Sequence, residues 1–118
     1  MVGNYGELIA AISANTAKMR RDIPDTMKGF GDMSRAACRD GVLDAKTKEL
    51  IALALSVGTR CDPCIGFHAK ALVKLGASRA EVQEVLGMCV YMGGGPGLMY
   101  AASALAAWEE LGGEKATP

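Results

Sequence analysis

The stretch DAKTKELIALALSVGTRCDPCIGFH, residues 44–68, decides the fold. Its first half begins with an aspartate that favours a helix N-cap and then repeats apolar residues at helical spacing. These apolar positions are Leu50, Leu53, Ala54 and Val57. After a break at residues 58–60, Asp62 and Pro63 predict a second helix, with Asp62 as its cap and Pro63 in its first position. The stretch therefore predicts two helices that are joined by a short link.

Helical periodicity continues on both sides of this stretch, and no segment alternates with the two-residue period of a strand. Ser78 and Glu81 form a capping-box pattern, and residues 93–97, GGGPG, predict a turn. The predicted helices are Asn4–Asp22, Pro24 to about Asp40, Ala45–Gly58, Asp62 to Gly76, Ser78 to about Met92, and about Leu98 to Leu111, where Gly112 and Gly113 stop the last helix. We therefore expect an all-α protein, a single helical domain of about six helices over residues 1–118.

Composition narrows the classes of function. The chain has 118 residues, 13 basic and 13 acidic, so it offers no electrostatic case for a nucleic acid or an anionic membrane as partner. No run of about 18 apolar residues predicts a membrane span, and the first residues lack the pattern of a signal peptide. We expect a cytoplasmic protein. A short all-α chain with so many apolar positions favours a homo-oligomer, which would complete the core.

The four cysteines, at positions 38, 61, 64 and 89, are too few and too unevenly spaced for a secreted disulfide scaffold. Cys38 and Cys89 are isolated and are expected to be small buried apolar residues. Cys61 and Cys64 form a Cys-x-x-Cys pair at the start of a predicted helix. Because the first turn of a helix favours an anion, Cys64 is the candidate reactive thiolate, with Cys61 near enough to form a disulfide.

His68, the only histidine, follows Cys64 by four residues and therefore lies on the same face of the helix. Glu49 stands in the preceding helix, twelve residues before Cys61. If the two helices cross obliquely, Glu49 can reach His68, and the pair would supply a proton acceptor and a carboxylate that orients it. Taken singly, Glu49 is also compatible with a solvated helix position, and His68 with a partly buried histidine.

Other kinds of site remain open at this point. Cys61, Cys64 and His68 could bind zinc, with Glu49 as a fourth ligand, although such sites normally bring a second Cys/His pair. A haem attachment site would need a histidine where Ile65 stands. A disulfide reductase or a redox sensor that acts on a protein partner would use the same dithiol. The motif alone therefore leaves three candidates, an enzyme with an activated thiol, a protein-directed redox protein and a zinc module.

The chain resembles the AhpD-like alkylhydroperoxidases of the carboxymuconolactone decarboxylase superfamily. The resemblance rests on Glu49 within the helical stretch KTKELIALALS, residues 46–56, and on the motif Cys61-x-x-Cys64-x-x-x-His68 that follows it. The resemblance covers roughly residues 44–108 and is weak over the first forty. The chain is similar to the short, single-unit members, and Asp62-Pro63 stands where the founding proteins carry a histidine. The decarboxylase branch lacks the cysteine pair, so lactone decarboxylation is not expected.

The resemblance implies an all-helical subunit in a trimer or hexamer, a hydroperoxide as substrate, and no cofactor or metal ion. It implies that Cys64 is the peroxidatic thiolate, that Cys61 resolves the resulting sulfenic acid as a disulfide, and that His68 and Glu49 form a proton relay. The electron donor that it implies is a dithiol, either a lipoylated carrier or a thioredoxin-like protein.

Overall fold

The computed structural model describes residues 4–116, so the first three residues of the segment considered for a leader lie outside the described part. The described chain forms five helices and no strand. They are α1 (Tyr5–Asp22), α2 (Pro24–Cys38), α3 (Ala45–Gly58), α4 (Asp62–Lys74) and α5 (Arg79–Glu110). The all-α prediction of a single helical domain is confirmed, and the predicted number of about six helices is wrong.

The predicted turn at residues 93–97 accounts for the difference in helix number. Only Gly94 leaves helical geometry, with φ 60° and ψ −145°, and α5 continues beyond it to Glu110. This combination of angles is open almost only to glycine, so one residue absorbs the whole change of direction. Pro96 falls in the first turn after the kink, where a missing N–H leaves no gap in hydrogen bonding. Two predicted helices are therefore one kinked helix.

The predicted caps of α3 and α5 are confirmed. Asp44 accepts a hydrogen bond from the backbone N of Thr47 at 2.7 Å. Ser78 and Glu81 form a reciprocal capping box, in which each side chain accepts from the backbone N–H of the other residue. These two contacts satisfy backbone donors that a helix start leaves without partners, and they fix where α3 and α5 begin.

The core lies between α3, α4 and α5, and α1 packs across α4. Its largest fully buried side chains are Trp108, Tyr5, Leu53, Ile65, Leu72 and Val82. By length and composition alone α5 could cross a membrane, but core helices of soluble proteins pass the same test. Side chains towards both ends of α5, among them Leu86 and Trp108, are buried in this core, and 22% of the most apolar 18-residue window of the helix is buried.

Helix α2 stands apart from the core, because none of its residues is buried. Phe30 and Met33 on this helix are 63% and 61% exposed. The helix ends at Cys38, two residues before the predicted end, and the Cys38 thiol is exposed. The expectation that Cys38 is buried is therefore wrong, since its helix buries nothing, whereas Cys89 on α5 is buried as expected.

Candidate active site

Helix α4 begins at the cysteine pair, but its N-cap is Cys61 and not Asp62 as predicted. Cys61 has an extended backbone, and its Sγ accepts a hydrogen bond from the backbone N of Cys64 at 3.3 Å. Asp62 is the first helical residue, and one of its carboxylate oxygens accepts a hydrogen bond from the Tyr5 hydroxyl at 3.3 Å. The carboxylate that was expected to cap the helix is engaged by α1, and the sulfur takes its place.

The two cysteines form a disulfide, with an S–S distance of 2.01 Å and a Cα–Cα distance of 5.2 Å. The two sulfurs are therefore close enough to form a disulfide, as the Cys-x-x-Cys spacing predicted. Because Cys61 Sγ lies at the helix N-terminus and accepts a backbone N–H, negative charge on this sulfur is stabilised when the disulfide opens.

Glu49 and His68 meet across the short link between α3 and α4. Oε2 of Glu49 lies 2.6 Å from Nδ1 of His68, and their side chains are 14% and 32% exposed. An ionised carboxylate only accepts hydrogen bonds, so Nδ1 carries the hydrogen and donates it. In the neutral imidazole, Nε2 is then left with its lone pair. The contact therefore fixes His68 in the form that can accept a proton at Nε2.

A shallow cavity of about 240 Å³ brings His68 and Cys64 together. Its lining residues are Ala52, Leu55, Ser56, Thr59, Cys64 and His68. We call it the thiol cavity. Cys61 is not among the lining residues, so Cys64 is the cysteine that a small molecule in the cavity would meet. Ser56 and Thr59 donate their hydroxyl hydrogens to carbonyls of their own helix, at 2.7 Å and 2.8 Å, and keep oxygen lone pairs available.

The donor set of the zinc alternative does not assemble as a ligand cluster. Within residues 4–116, no group of three or more histidine, cysteine or acidic side chains is arranged to hold a metal ion. The Glu49 carboxylate is bound to His68, and the two sulfurs are bound to each other. The arrangement is that of a disulfide-bonded cysteine pair with an oriented histidine beside it.

The structure adds residues that the sequence did not indicate. Tyr5, which lies 57 positions before Asp62, contacts this residue between the two cysteines, and Ser103 contacts the Tyr5 hydroxyl. Arg60, directly before Cys61, has a φ of 58°, a conformation that favours glycine. No local pattern marks these residues, because their positions follow from how α1, α3 and α5 meet at the start of α4.

Comparisons with known proteins agree with this fold. The sequence model of the carboxymuconolactone decarboxylase family matches residues 24–107, which include all four predicted site residues. The fold superposes with a TM-score of 0.90 on the crystal structure of an apo carboxymuconolactone decarboxylase family protein from Legionella pneumophila. That protein is 54% identical, and the match covers 91% of this chain and 96% of the other.

Two further relatives are more distant. A carboxymuconolactone decarboxylase family protein from Thermotoga maritima, with a suggested involvement in the antioxidative response, superposes with a TM-score of 0.67. It is 34% identical, over 80% of this chain and 87% of the other. An uncharacterized protein of Cupriavidus necator is 46% identical over 88 residues, which are 75% of this chain and 78% of that protein.

Proposed function

Because the chain belongs to the carboxymuconolactone decarboxylase family, we propose that it is a cytoplasmic thiol peroxidase of the AhpD-like kind, which reduces organic hydroperoxides. The observation that carries this proposal is that Cys64 and His68 line one cavity, with Glu49 bound to the far side of the imidazole. The suggested antioxidative involvement of the Thermotoga maritima relative points the same way.

In the oxidative half of the cycle, Nε2 of His68 accepts the proton of the Cys64 thiol. The thiolate attacks the distal oxygen of the hydroperoxide, the O–O bond breaks, and the alkoxide takes a proton and leaves as the alcohol. Cys64 is then a sulfenic acid. The Cys61 thiol gives up its proton and its sulfur attacks the Cys64 sulfur, the sulfenic hydroxyl leaves with that proton as water, and the Cys61–Cys64 disulfide of the structure forms.

In the reductive half, one thiolate of a dithiol donor, a lipoylated carrier or a thioredoxin-like protein, attacks Cys64, the cysteine that lines the thiol cavity. Cys61 leaves as a thiolate, in the position where the helix N-terminus and the N–H of Cys64 stabilise it. The second donor thiol then releases the donor as its own disulfide. One hydroperoxide and one donor dithiol thus give one alcohol, one water and one donor disulfide.

The test is a titration of free thiols before and after one equivalent of cumene hydroperoxide, on the reduced protein. We expect the wild type to lose two thiols and to consume the peroxide when a dithiol reductant is present. Cys64→Ser should lose both responses, and Cys61→Ser should keep a single oxidisable thiol with strongly reduced turnover. Cys38→Ser is the matched control, since Cys38 is an exposed thiol on another helix. Undiminished turnover by Cys64→Ser would rule the proposal out.

The shallow form of the thiol cavity favours one alternative, a disulfide reductase or redox sensor that acts on a protein. In that case Cys61→Ser should accumulate a mixed disulfide between Cys64 and one defined protein, and organic hydroperoxides should leave the thiols unchanged. The two results separate the two functions.

We propose further that the protein is a homo-oligomer, a trimer or hexamer, and that a second copy covers the apolar face of α2. A 15-residue helix with no buried side chain has little stability of its own. Phe30 and Met33 would be among the contacts. Light scattering should give a multiple of the 12.3 kDa subunit mass, and Phe30→Ser together with Met33→Ser should lower it. A monomeric wild type at micromolar concentration would refute this part.

A further inference from the structure

Tyr5 connects helix α1 to the turn that carries the two cysteines. Its side chain is 1% exposed. Its Oη lies 2.6 Å from Oγ of Ser103 on α5 and 3.3 Å from Oδ1 of Asp62, the residue that follows Cys61. Three helices therefore meet at one phenol, directly beside the disulfide.

The direction of these hydrogen bonds follows from the groups involved. The phenol has one hydrogen, and the Asp62 carboxylate can only accept, so Tyr5 donates to Asp62 and Ser103 donates to Tyr5. Burial raises the pKa of Tyr5 above its usual value, and the negative charge of Asp62 acts in the same direction. The phenol therefore remains a donor at neutral pH, in the middle of a chain of hydrogen bonds, from Ser103 through Tyr5 to Asp62, that strengthen one another.

The position of Tyr5 is held by other contacts. Its backbone N donates to Oε1 of Glu110 at 3.0 Å, and the backbone N of Gly6 donates to Oε2 at 2.8 Å. The start of α1 is thus tied to the end of α5. The ring packs beside Gly66 of α4, where an added Cβ would lie 3.4 Å from Tyr5 Cδ1. A phenol held in this way can hold the carboxylate that it contacts.

We propose that Tyr5 is a positioning residue for the Cys61–Cys64 dithiol, and that it acts through Asp62. A carboxylate inside the Cys-x-x-Cys turn disfavours a thiolate beside it. The Tyr5 hydroxyl draws Oδ1 of Asp62 towards the buried side of the turn and takes part of its charge into a hydrogen bond. Without that hydroxyl, the carboxylate turns freely and opposes thiolate formation more strongly. The inference rests on the proposed function only in requiring that the disulfide opens to a dithiol.

Several other charged or titratable groups surround the dithiol and stay the same in the test. They are Glu49 on α3, His68 on α4 and Arg60, directly before Cys61; Tyr100 on α5 acts electrostatically on Tyr5 and is likewise unchanged. Since none of them is changed, a difference between variants at Tyr5 and Asp62 reports on the contact between these two residues.

The experiment measures the rate of alkylation of the reduced protein by iodoacetamide as a function of pH, in a Cys38→Ser background that removes the exposed thiol of α2. We expect Tyr5→Phe to move the midpoint of the profile to higher pH and to slow alkylation at pH 7 by roughly threefold, a fraction of what a hydrogen bond to a charged group is worth. Asp62→Asn should move the midpoint to lower pH. In the Asp62→Asn background, Tyr5→Phe should have no further effect.

If Tyr5→Phe shifts the midpoint equally in the wild-type and the Asp62→Asn backgrounds, the phenol does not act through the carboxylate, and the proposal is wrong. The absence of any shift from Tyr5→Phe in the wild-type background would also overturn it. Ser103→Ala, which leaves the phenol in place, should shift the midpoint in the same direction by less, and it replaces Tyr5→Phe if that variant fails to fold. Helical circular dichroism identifies folded variants. Because alkylation needs no peroxide, a wild type that reduces no hydroperoxide would end the proposed function and leave this result standing.

Discussion

Glu49 Oε2 lies 2.6 Å from His68 Nδ1, although the two residues are separated by 19 positions and belong to different helices. The contact engages Nδ1 and leaves Nε2 as the ring nitrogen without this partner, and His68 also lines the thiol cavity. It gives the cavity one basic group whose tautomer is determined by the fold.

The first prediction concerns this contact. His68→Ala is expected to slow the reaction of Cys64 with an organic hydroperoxide by about 100-fold, the lower end of what general acid–base catalysis contributes. Glu49→Gln should slow it by about tenfold, because the amide holds the ring less firmly and does not stabilise its charged form. Stopped-flow measurement of thiol loss gives both rates. Glu84→Gln, an exposed glutamate on α5, is the control, and equal rates in all variants would exclude the relay.

Close packing between α1 and α4 gives the second prediction. A Cβ on Gly66 would lie 2.5 Å from Cγ2 of Ile9, so Gly66→Ala should lower the free energy of unfolding by about 1–3 kcal/mol, as overpacking does. In an Ile9→Ala background the same change should cost less. Gly87→Ala is the matched control, because nothing lies within 4 Å of its added Cβ. Urea unfolding measures all four, and an equal cost of Gly66→Ala in both backgrounds would speak against the contact.

The third prediction concerns Arg60, which stands at the left-handed position after α3. The backbone N of Cys61 donates to the carbonyl of Ser56, and that of Arg60 to the carbonyl of Val57, a pattern that normally ends on glycine. Arg60→Gly should therefore raise the free energy of unfolding by about 0.5–1 kcal/mol. Arg60→Ala keeps the backbone cost and should give no increase. A thermal melt of both variants tests this, and a gain from alanine as large as that from glycine would be inconsistent with it.

The fourth prediction concerns the dependence of the free energy of unfolding on pH in the acidic range. A hydrogen bond from the Ser78 backbone, and after it the ion pair with Lys46, lowers the pKa of Glu81 below its ordinary value of 4.5. The folded state therefore favours the ionised carboxylate. Its contribution to stability is fully present above pH 4.5 and is lost as the pH falls through the lowered pKa.

Glu81→Gln, which retains an oxygen for the capping box, should flatten the loss of stability between about pH 5 and pH 3. Urea midpoints across that range measure it. Glu84→Gln carries the same change at an exposed site and should leave the slope unchanged, whereas an unaltered slope in Glu81→Gln would argue against the assignment.

The sequence was sufficient where a feature depends on neighbours in the chain. The caps at Asp44 and Ser78 and the reach of the cysteine pair follow from local spacing. The N-cap of α4 could not be predicted in this way. The Asp62 carboxylate, the stronger capping group, accepts a hydrogen bond from Tyr5, 57 positions away, and the Cys61 sulfur caps the helix in its place. The meeting of Glu49 with His68 could be predicted only as one outcome of the helix crossing, which packing decides.

Helix α5 shows the opposite difficulty. Residues 93–97 carry every mark of a loop, and a turn was the reasonable prediction. Only Gly94 leaves helical geometry, and the other residues of this segment stay helical. The backbone at Gly97 lies so close to Cys89 that an added Cβ would be 2.5 Å from the carbonyl oxygen of Cys89. The glycines of this segment therefore allow the two halves of α5 to approach each other closely at the kink, and only the three-dimensional arrangement reveals this role.

Helix α2 has a consequence for any measurement made on dilute protein. A helix that buries none of its side chains is near the limit of stability in water, so in the oligomer that we propose its folding would be coupled to the encounter of subunits and would depend on concentration. Helical circular dichroism should therefore fall on dilution before the core of α3, α4 and α5 unfolds. Two melting transitions, one that moves with concentration and one that does not, would be the mark of a protein whose outermost helix is folded by its neighbours.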